Sequence, residues 1–152
     1  MSGIVPVTGG CLFGAIRWRA ETPPEWVAYC HCHMCQKALG GIFGVFASFP
    51  PGAFRYTKGE PRYYQSSPWA RRGFCADCGT SLDFWLIDDA VPALTLGGFD
   101  RPEDWPPDLY HTGIEGKVPW HAIADGLPQQ PSDASVFVRE AKAKVAAGKS
   151  WS

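Results

Sequence analysis

A mainly β fold closed by one short C-terminal helix is the class this sequence predicts. Three observations carry that expectation. The 17 glycines and 14 prolines are spread along the chain and leave no long helical stretch in the first 130 residues or so. Short apolar and aromatic runs of strand length lie between these breakers. Six cysteines fall in a 1 + 3 + 2 pattern, with spacings that let side chains from separate strands converge on metal.

The elements follow in order. Residues 15–19, 26–29, 42–49, 81–87 and 93–96 read as strands, each apolar or aromatic-rich and bounded by turn residues. Residues 54–56 and 61–64 alternate over short spans and are expected to form a hairpin across 57–60. Residues 35–39 have the composition of one helical turn, stopped by Gly40 and Gly41. Residues 100–131, rich in Pro, Asp and Trp, read as an ordered irregular arm. Asp133 is positioned to cap a helix over 134–147, with Gly148 as the stop.

At 152 residues the chain has the size of a single domain able to bury a genuine core, and it contains no visible repeat or linker. Its net charge of −1, without a basic run, argues against nucleic acid as a partner. No apolar stretch approaches the ~20 residues of a membrane span, and the first thirty residues lack the pattern of a secretory signal. The expected location is the cytoplasm, where cysteines stay reduced. Three disulfides are the competing account of six cysteines. A C-x-C pair makes a strained disulfide, and a chain of this length does not need such staples, so zinc is the better account.

The chemistry concentrates in two motifs. Cys75-Ala76-Asp77-Cys78-Gly79 has the form of a zinc knuckle, in which glycine after the second cysteine permits a positive φ and turns backbone N–H groups toward the thiolates. Cys11, after Gly9-Gly10, is the natural third ligand. The run from Cys30 to Cys35 is denser. Cys30 and Cys32 alternate on an extended segment, and Cys35 on the following turn can close a triangle. Three thiolates leave one coordination position for water or an incoming thiol, as catalytic zinc requires. A closed structural zinc completed by His31 or His33 is the alternative. Those two histidines read more simply as groups beside the ligands or at the surface, and His111 and His121 as hydrogen-bonded structural residues. The tryptophans read as core or pocket walls. Arg71 and Arg72 are open to two readings, anion binding or solvated surface charge.

Taken together, Gly9-Gly10-Cys11, Cys30-His31-Cys32-x-x-Cys35, Arg72-x-Phe74-Cys75-x-x-Cys78-Gly79, the turn Gly98-Phe99-Asp100-x-Pro102, His111 and Pro119-Trp120 resemble the glutathione-dependent formaldehyde-activating enzyme family, also called the centromere protein V family. The resemblance runs from about residue 9 to residue 128 and leaves the C-terminal helix outside it. It implies an Mss4-like fold of small sheets about zinc. It also implies a catalytic zinc on Cys30, Cys32 and Cys35, and a structural zinc on Cys11, Cys75 and Cys78. The implied reaction is addition of a thiol, glutathione, to a small aldehyde such as formaldehyde. The chain departs from the family's first motif, Gly-Gly-Cys-x-Cys-Gly, because Phe13 stands where the second cysteine belongs. The structural zinc is then one ligand short. Phe13 is expected to fill the space of that ligand beside Cys11, Cys75 and Cys78, unless Cys30 swings over and one ion serves both motifs.

The leading expectation is therefore a zinc-dependent carbon–sulfur lyase acting on a glutathione-like thiol and an aldehyde. It carries a cleft beside Cys30–Cys35 that is walled by tryptophan and bears a cation. Arg72 and Lys37 are the candidate cations, and Trp120 with His111 the candidate wall. The alternative is a non-catalytic zinc-stabilised module that binds another protein. A methionine sulfoxide reductase-like chemistry ranks last, because it needs a free nucleophilic cysteine and all six are committed to the two motifs. Oligomeric state is left open.

Overall fold

The computed structural model describes residues 3–151. Ten strands form two sheets. β1 (Val7–Gly10), β2 (Arg17–Ala20) and β5 (Phe54–Lys58) make an antiparallel three-stranded sheet in the order β1-β2-β5. The larger sheet holds β3 (Trp26–Cys30), β4 (Gly44–Ser48), β6 (Arg62–Ser67), β7 (Ala70–Phe74), β8 (Ser81–Leu86), β9 (Ala93–Thr95) and the two-residue β10 (His111–Thr112). Its order is β10-β3-β4-β9-β8-β7-β6, and only the β10–β3 pair is parallel. The mainly β expectation holds.

The main core lies between the sheets. Trp18 from the small sheet packs its ring edge-on against Phe99 at 4.8 Å and sits with Val27, Ala47, Phe49, Leu94 and Trp105. Trp18, Val27, Ala47 and Leu94 come from β2, β3, β4 and β9, and Phe49, Phe99 and Trp105 from the segments between strands.

One expectation about pairing is corrected. Residues 54–56 and 61–64 do not form a hairpin. β5 pairs with β2 and β6 pairs with β7, in different sheets. Phe54 and Tyr56 share the buried face of β5, and β2 presents Trp18 and Ala20 to the same core, so burial decides the pairing rather than the short connection. Residues 70–74 form a strand although two arginines interrupt their apolar pattern.

Two short helices complete the chain. α1 (His33–Leu39) is capped by Cys32, whose sulfur accepts from the Cys35 N–H at 3.3 Å, and ends at Gly40 with φ 73°. α2 (Val136–Ala146) begins two residues later than expected. Ser135, not Asp133, is its cap, and Ser132–Ala134 form a 3₁₀ turn before it. α2 lies on β7 and β8, with Ala141 buried against Ala70, Leu86 and Ile87. Among the described residues no helix is long and apolar enough to cross a membrane.

Candidate metal centre and adjoining cleft

The sulfurs of Cys30, Cys32 and Cys35 all lie within 4.8 Å of one another, and Cys30 and Cys32 approach to 3.4 Å. Local structure sets this. Cys30 ends β3, Cys32 is extended (φ −62°, ψ 151°) at the start of α1, and Cys35 is one turn into the helix. Ligands about a tetrahedral zinc at ~2.3 Å stand about 3.8 Å apart, so this triangle fits one ion. Hydrogen bonds from Cys30 and Cys35, the Cys35 N–H and the nearby Arg72 charge together hold the Cys32 thiol well below the usual thiol range.

Arg72 is the cation of this centre. It stands on β7 and is buried at 6% exposure, with Nη2 3.5 Å from the Cys35 sulfur and its guanidinium 4.8 Å from the Phe84 ring centre. Its Nε is buried without an acceptor. Arg71, its neighbour, points the other way and stacks on Trp151 at 4.3 Å. The two readings of the arginine pair thus divide between its members.

The irregular arm closes the other side. A Cβ on Gly113 (φ 67°) would stand 2.7 Å from the Cys32 nitrogen, and one on Gly116 would stand 2.5 Å from the His31 carbonyl oxygen. Only glycine allows this approach. Gln36 ties both layers by donating to the carbonyls of His31 (2.8 Å) and Gly116 (2.7 Å). Beneath them runs a buried chain. Asp125 accepts from His111 Nε2 at 2.9 Å, which leaves His111 Nδ1 to accept from His31 Nε2 at 2.8 Å. Tyr29 stacks on His111 at 4.3 Å. Burial, followed by the His111 and Lys117 charges, lowers the His31 pKa. His111 is a hydrogen-bonded buried group, as its single-histidine reading expected, but it does not line the cavity as a wall, and His31 is buried rather than at the surface. Asp125 was not anticipated, since a single aspartate in an irregular arm carries no local signal.

The second cluster joins the sheets. Cys11, just after β1, meets Cys75 and Cys78 of the β7–β8 turn, again with all sulfurs within 4.8 Å. Cys11 accepts from the Ile16 N–H at 3.3 Å, and Cys78 lies 3.2 Å from the Thr80 hydroxyl. That hydroxyl, aided by backbone N–H groups that include Phe13, brings the Cys78 thiol down to about 6. Gly79 has φ 78°, as the knuckle requires.

Two expectations fail here. The Phe13 side chain does not fill a pocket beside the sulfurs. It is 70% exposed, because it sits in the turn closed by the Gly14 N–H to Cys11 carbonyl bond, with only its backbone facing Cys78. Nor does Cys30 swing over, since it belongs to its own triangle.

A cavity of about 460 Å³ opens beside the first cluster, lined by Cys30, Cys32, Cys35 and Arg72. Its tryptophan walls are Trp26 and Trp69. Trp120 is 72% exposed and does not line it, and Lys37 faces a different cleft.

The sequence model of the glutathione-dependent formaldehyde-activating enzyme family matches residues 6–112. The chain belongs to that family. An uncharacterized lyase of Schizosaccharomyces pombe is 30% identical over 84 residues, which span 55% of this chain and 61% of the yeast protein. A crystal structure of a Rhodobacter sphaeroides protein shares the fold at a TM-score of 0.50 and 16% identity, covering 81% of this chain and 98% of the other. Both cysteine clusters and the arm up to Thr112 fall inside the family match. α2 lies beyond it.

Proposed function

We propose that this chain is a zinc-dependent carbon–sulfur lyase that joins a thiol to an aldehyde. The observation that carries the reading is the three-sulfur triangle of Cys30, Cys32 and Cys35 opening onto a cavity beside a buried arginine. Both clusters offer three sulfurs, but only this one lines the cavity, and a coordination position open to an incoming molecule suits a reactive metal rather than a closed structural one. Bound there, zinc would supply Lewis acidity and lower the pKa of an incoming thiol.

The chain's own residues do the rest. Arg72 balances the negative charge of the triangle, and the glycine arm and Gln36 hold Cys32 in place. In the addition, a carbon–sulfur bond forms, the carbonyl π bond opens and the thiol proton ends on the oxygen. The lyase direction reverses each change. The family's name supports glutathione as the thiol and formaldehyde as the reference aldehyde. The second cluster is read as structural, holding zinc through Cys11, Cys75 and Cys78.

The test is the rate at which S-hydroxymethylglutathione forms from glutathione and formaldehyde, followed by exchange NMR with native protein and Cys32→Ala. The native protein should accelerate the exchange and the variant should not. No acceleration by zinc-loaded native protein with glutathione or other small thiols would sink the enzyme reading and leave the protein-binding module.

A further inference from the structure

The cavity beside the cysteine triangle is far larger than formaldehyde needs. At about 460 Å³ it lies in the range of sites for molecules of ten or more heavy atoms. Its walls are mostly apolar and aromatic. Trp26, Phe46, Trp69, Phe84, Leu86 and Phe137 come from β3, β4, β8, α2 and the β6–β7 turn.

Its charged groups are Arg72, Lys142, Glu25 and Asp89, and of these Arg72 stands against the triangle. Arg72 and Ser67 both line the cavity, and both have a buried donor, Nε and Oγ, with no acceptor in the protein. A buried donor left unpaired costs about 1–3 kcal/mol, so a turn of either side chain that carries its donor into the cavity to meet a ligand oxygen is favoured. Donors next to the triangle and rings beyond it define a ligand with an acceptor head and an apolar body.

The outer wall is supplied by the C-terminal segment. Phe137 of α2 stacks on Trp26 at 5.8 Å, and Lys142 lies 4.8 Å over the Trp69 ring. Ser132, Ser135 and Val138 complete that side. All of these lie beyond the residues that match the family. Phe137 and Val138 of α2 thus extend an apolar lining most of which comes from strands inside the family match.

We infer that this cavity binds a carbonyl compound with an aromatic or branched apolar body, its oxygen directed to Arg72 and Ser67 and its carbonyl carbon toward the cysteine triangle. This rests on the thiol-addition reading for its chemistry, but the binding itself does not. A thiol adds across the carbonyl with the same atom balance as for formaldehyde, and no oxidant or reductant is needed.

The probe is acetophenone, an aromatic ketone that adds thiols poorly, with acetone as the small comparator. Binding is followed by saturation-transfer NMR titration on the native protein, Phe137→Glu and Val138→Glu, with circular dichroism to verify the fold. Native protein should bind acetophenone at least tenfold more tightly than acetone. Either folded glutamate variant should lose that preference. Equal binding of the two ketones, or an unchanged preference in both folded variants, overturns the inference. Turnover of benzaldehyde and formaldehyde with glutathione is measured in parallel. Ketone binding of the expected kind without turnover of either aldehyde overturns the thiol-addition reading and leaves the cavity's ligand class standing. Formaldehyde turnover without selective ketone binding does the reverse.

Discussion

Replacing Arg72 with methionine should weaken metal binding at the Cys30–Cys32–Cys35 triangle without destabilising the fold. The guanidinium stands 3.5 Å from the Cys35 sulfur, and at that distance a unit charge acts on a thiolate by about 5 kcal/mol at an effective dielectric constant of about 20. The charge is spread over three nitrogens, and the other two sulfurs are farther away, so about 2–3 kcal/mol is the working figure. At 1.4 kcal/mol per tenfold, zinc affinity at the triangle should fall about 30- to 150-fold. Fold stability should move the other way or stay level. Arg72 is 6% exposed with an unpaired Nε, and removing a poorly compensated buried charge is often neutral or stabilising. Methionine keeps the volume over Phe84. The assay is zinc competition against a chromophoric chelator, with the Cys11–Cys75–Cys78 cluster as the internal control, alongside chemical denaturation of metal-free protein. Arg72→Lys should fall between, since it keeps the charge but loses the planar stack on Phe84. Equal loss at both clusters would mean that the substitution acts through the fold. Undiminished affinity at the triangle would refute the electrostatic argument outright.

Three further outcomes are expected. Gly113→Ala forces a Cβ 2.7 Å from the Cys32 nitrogen at φ 67°, so unfolding free energy should drop by about 1–3 kcal/mol and zinc at the triangle should fall with it; an unchanged denaturation midpoint would show that the arm gives way freely. Phe13→Cys places a thiol on a residue whose backbone already faces Cys78, so the melting temperature should rise in zinc and not in chelator, and a rise in both would rule out a fourth ligand. Asp83 is buried, and burial raises its carboxyl pKa despite hydrogen bonds from Tyr56 and Tyr63. Its folded state therefore holds the proton more tightly than the unfolded chain, and the stability this contributes is full below pH ~4 and declines as pH rises toward the folded value. The melting temperature of Asp83→Asn relative to the parent should climb over that window, and a difference that is flat or falls with pH would reverse the sign assigned to Asp83.

What could be read in the sequence was whatever short-range spacing fixes. The C-x-C-x-x-C run has to put three sulfurs near one another once a strand ends at Cys30 and a helix starts at His33, whatever the rest of the chain does. Gly79 and Gly40 likewise announced a knuckle and a helix stop through their own φ angles. Choices made across distance were not legible. Phe54 and Tyr56 have a strand pattern, but the pattern does not say that β2 rather than residues 61–64 is their partner. Arg72 was legible as a candidate cation of the cleft, but not that β8 would bring Phe84 beneath it and α1 Cys35 beside it, nor that Lys37 would face elsewhere. Trp120 matched a motif and yet points to solvent, whereas Trp26 and Trp69, outside every motif, line the cleft.

The two clusters differ in what surrounds them, and that difference assigns their roles. Cys11 and Cys75 are buried, and they link the end of β1 in the small sheet to the β7–β8 turn of the large one. Ile16, Leu82 and Tyr56 pack around them. Metal there closes a loop between residues 11 and 75 and joins sheets that also meet through the apolar core and the Tyr56–Asp83 hydrogen bond. Its affinity is therefore folding free energy. The Cys30–Cys35 triangle spans one strand end and one helical turn, so metal there closes almost no loop and adds little to the fold. It faces a cavity, a buried arginine and an arm that only glycine lets approach. Chelation should act on the two in opposite order of consequence. Stripping the Cys11–Cys75–Cys78 cluster should melt the protein. Stripping the triangle should leave a folded protein that still takes an apolar ligand and no longer turns a thiol over. A single unfolding step that removes both functions at the same chelator concentration, in native protein and in a Cys32→Ser variant alike, would show that the division of labour is not real.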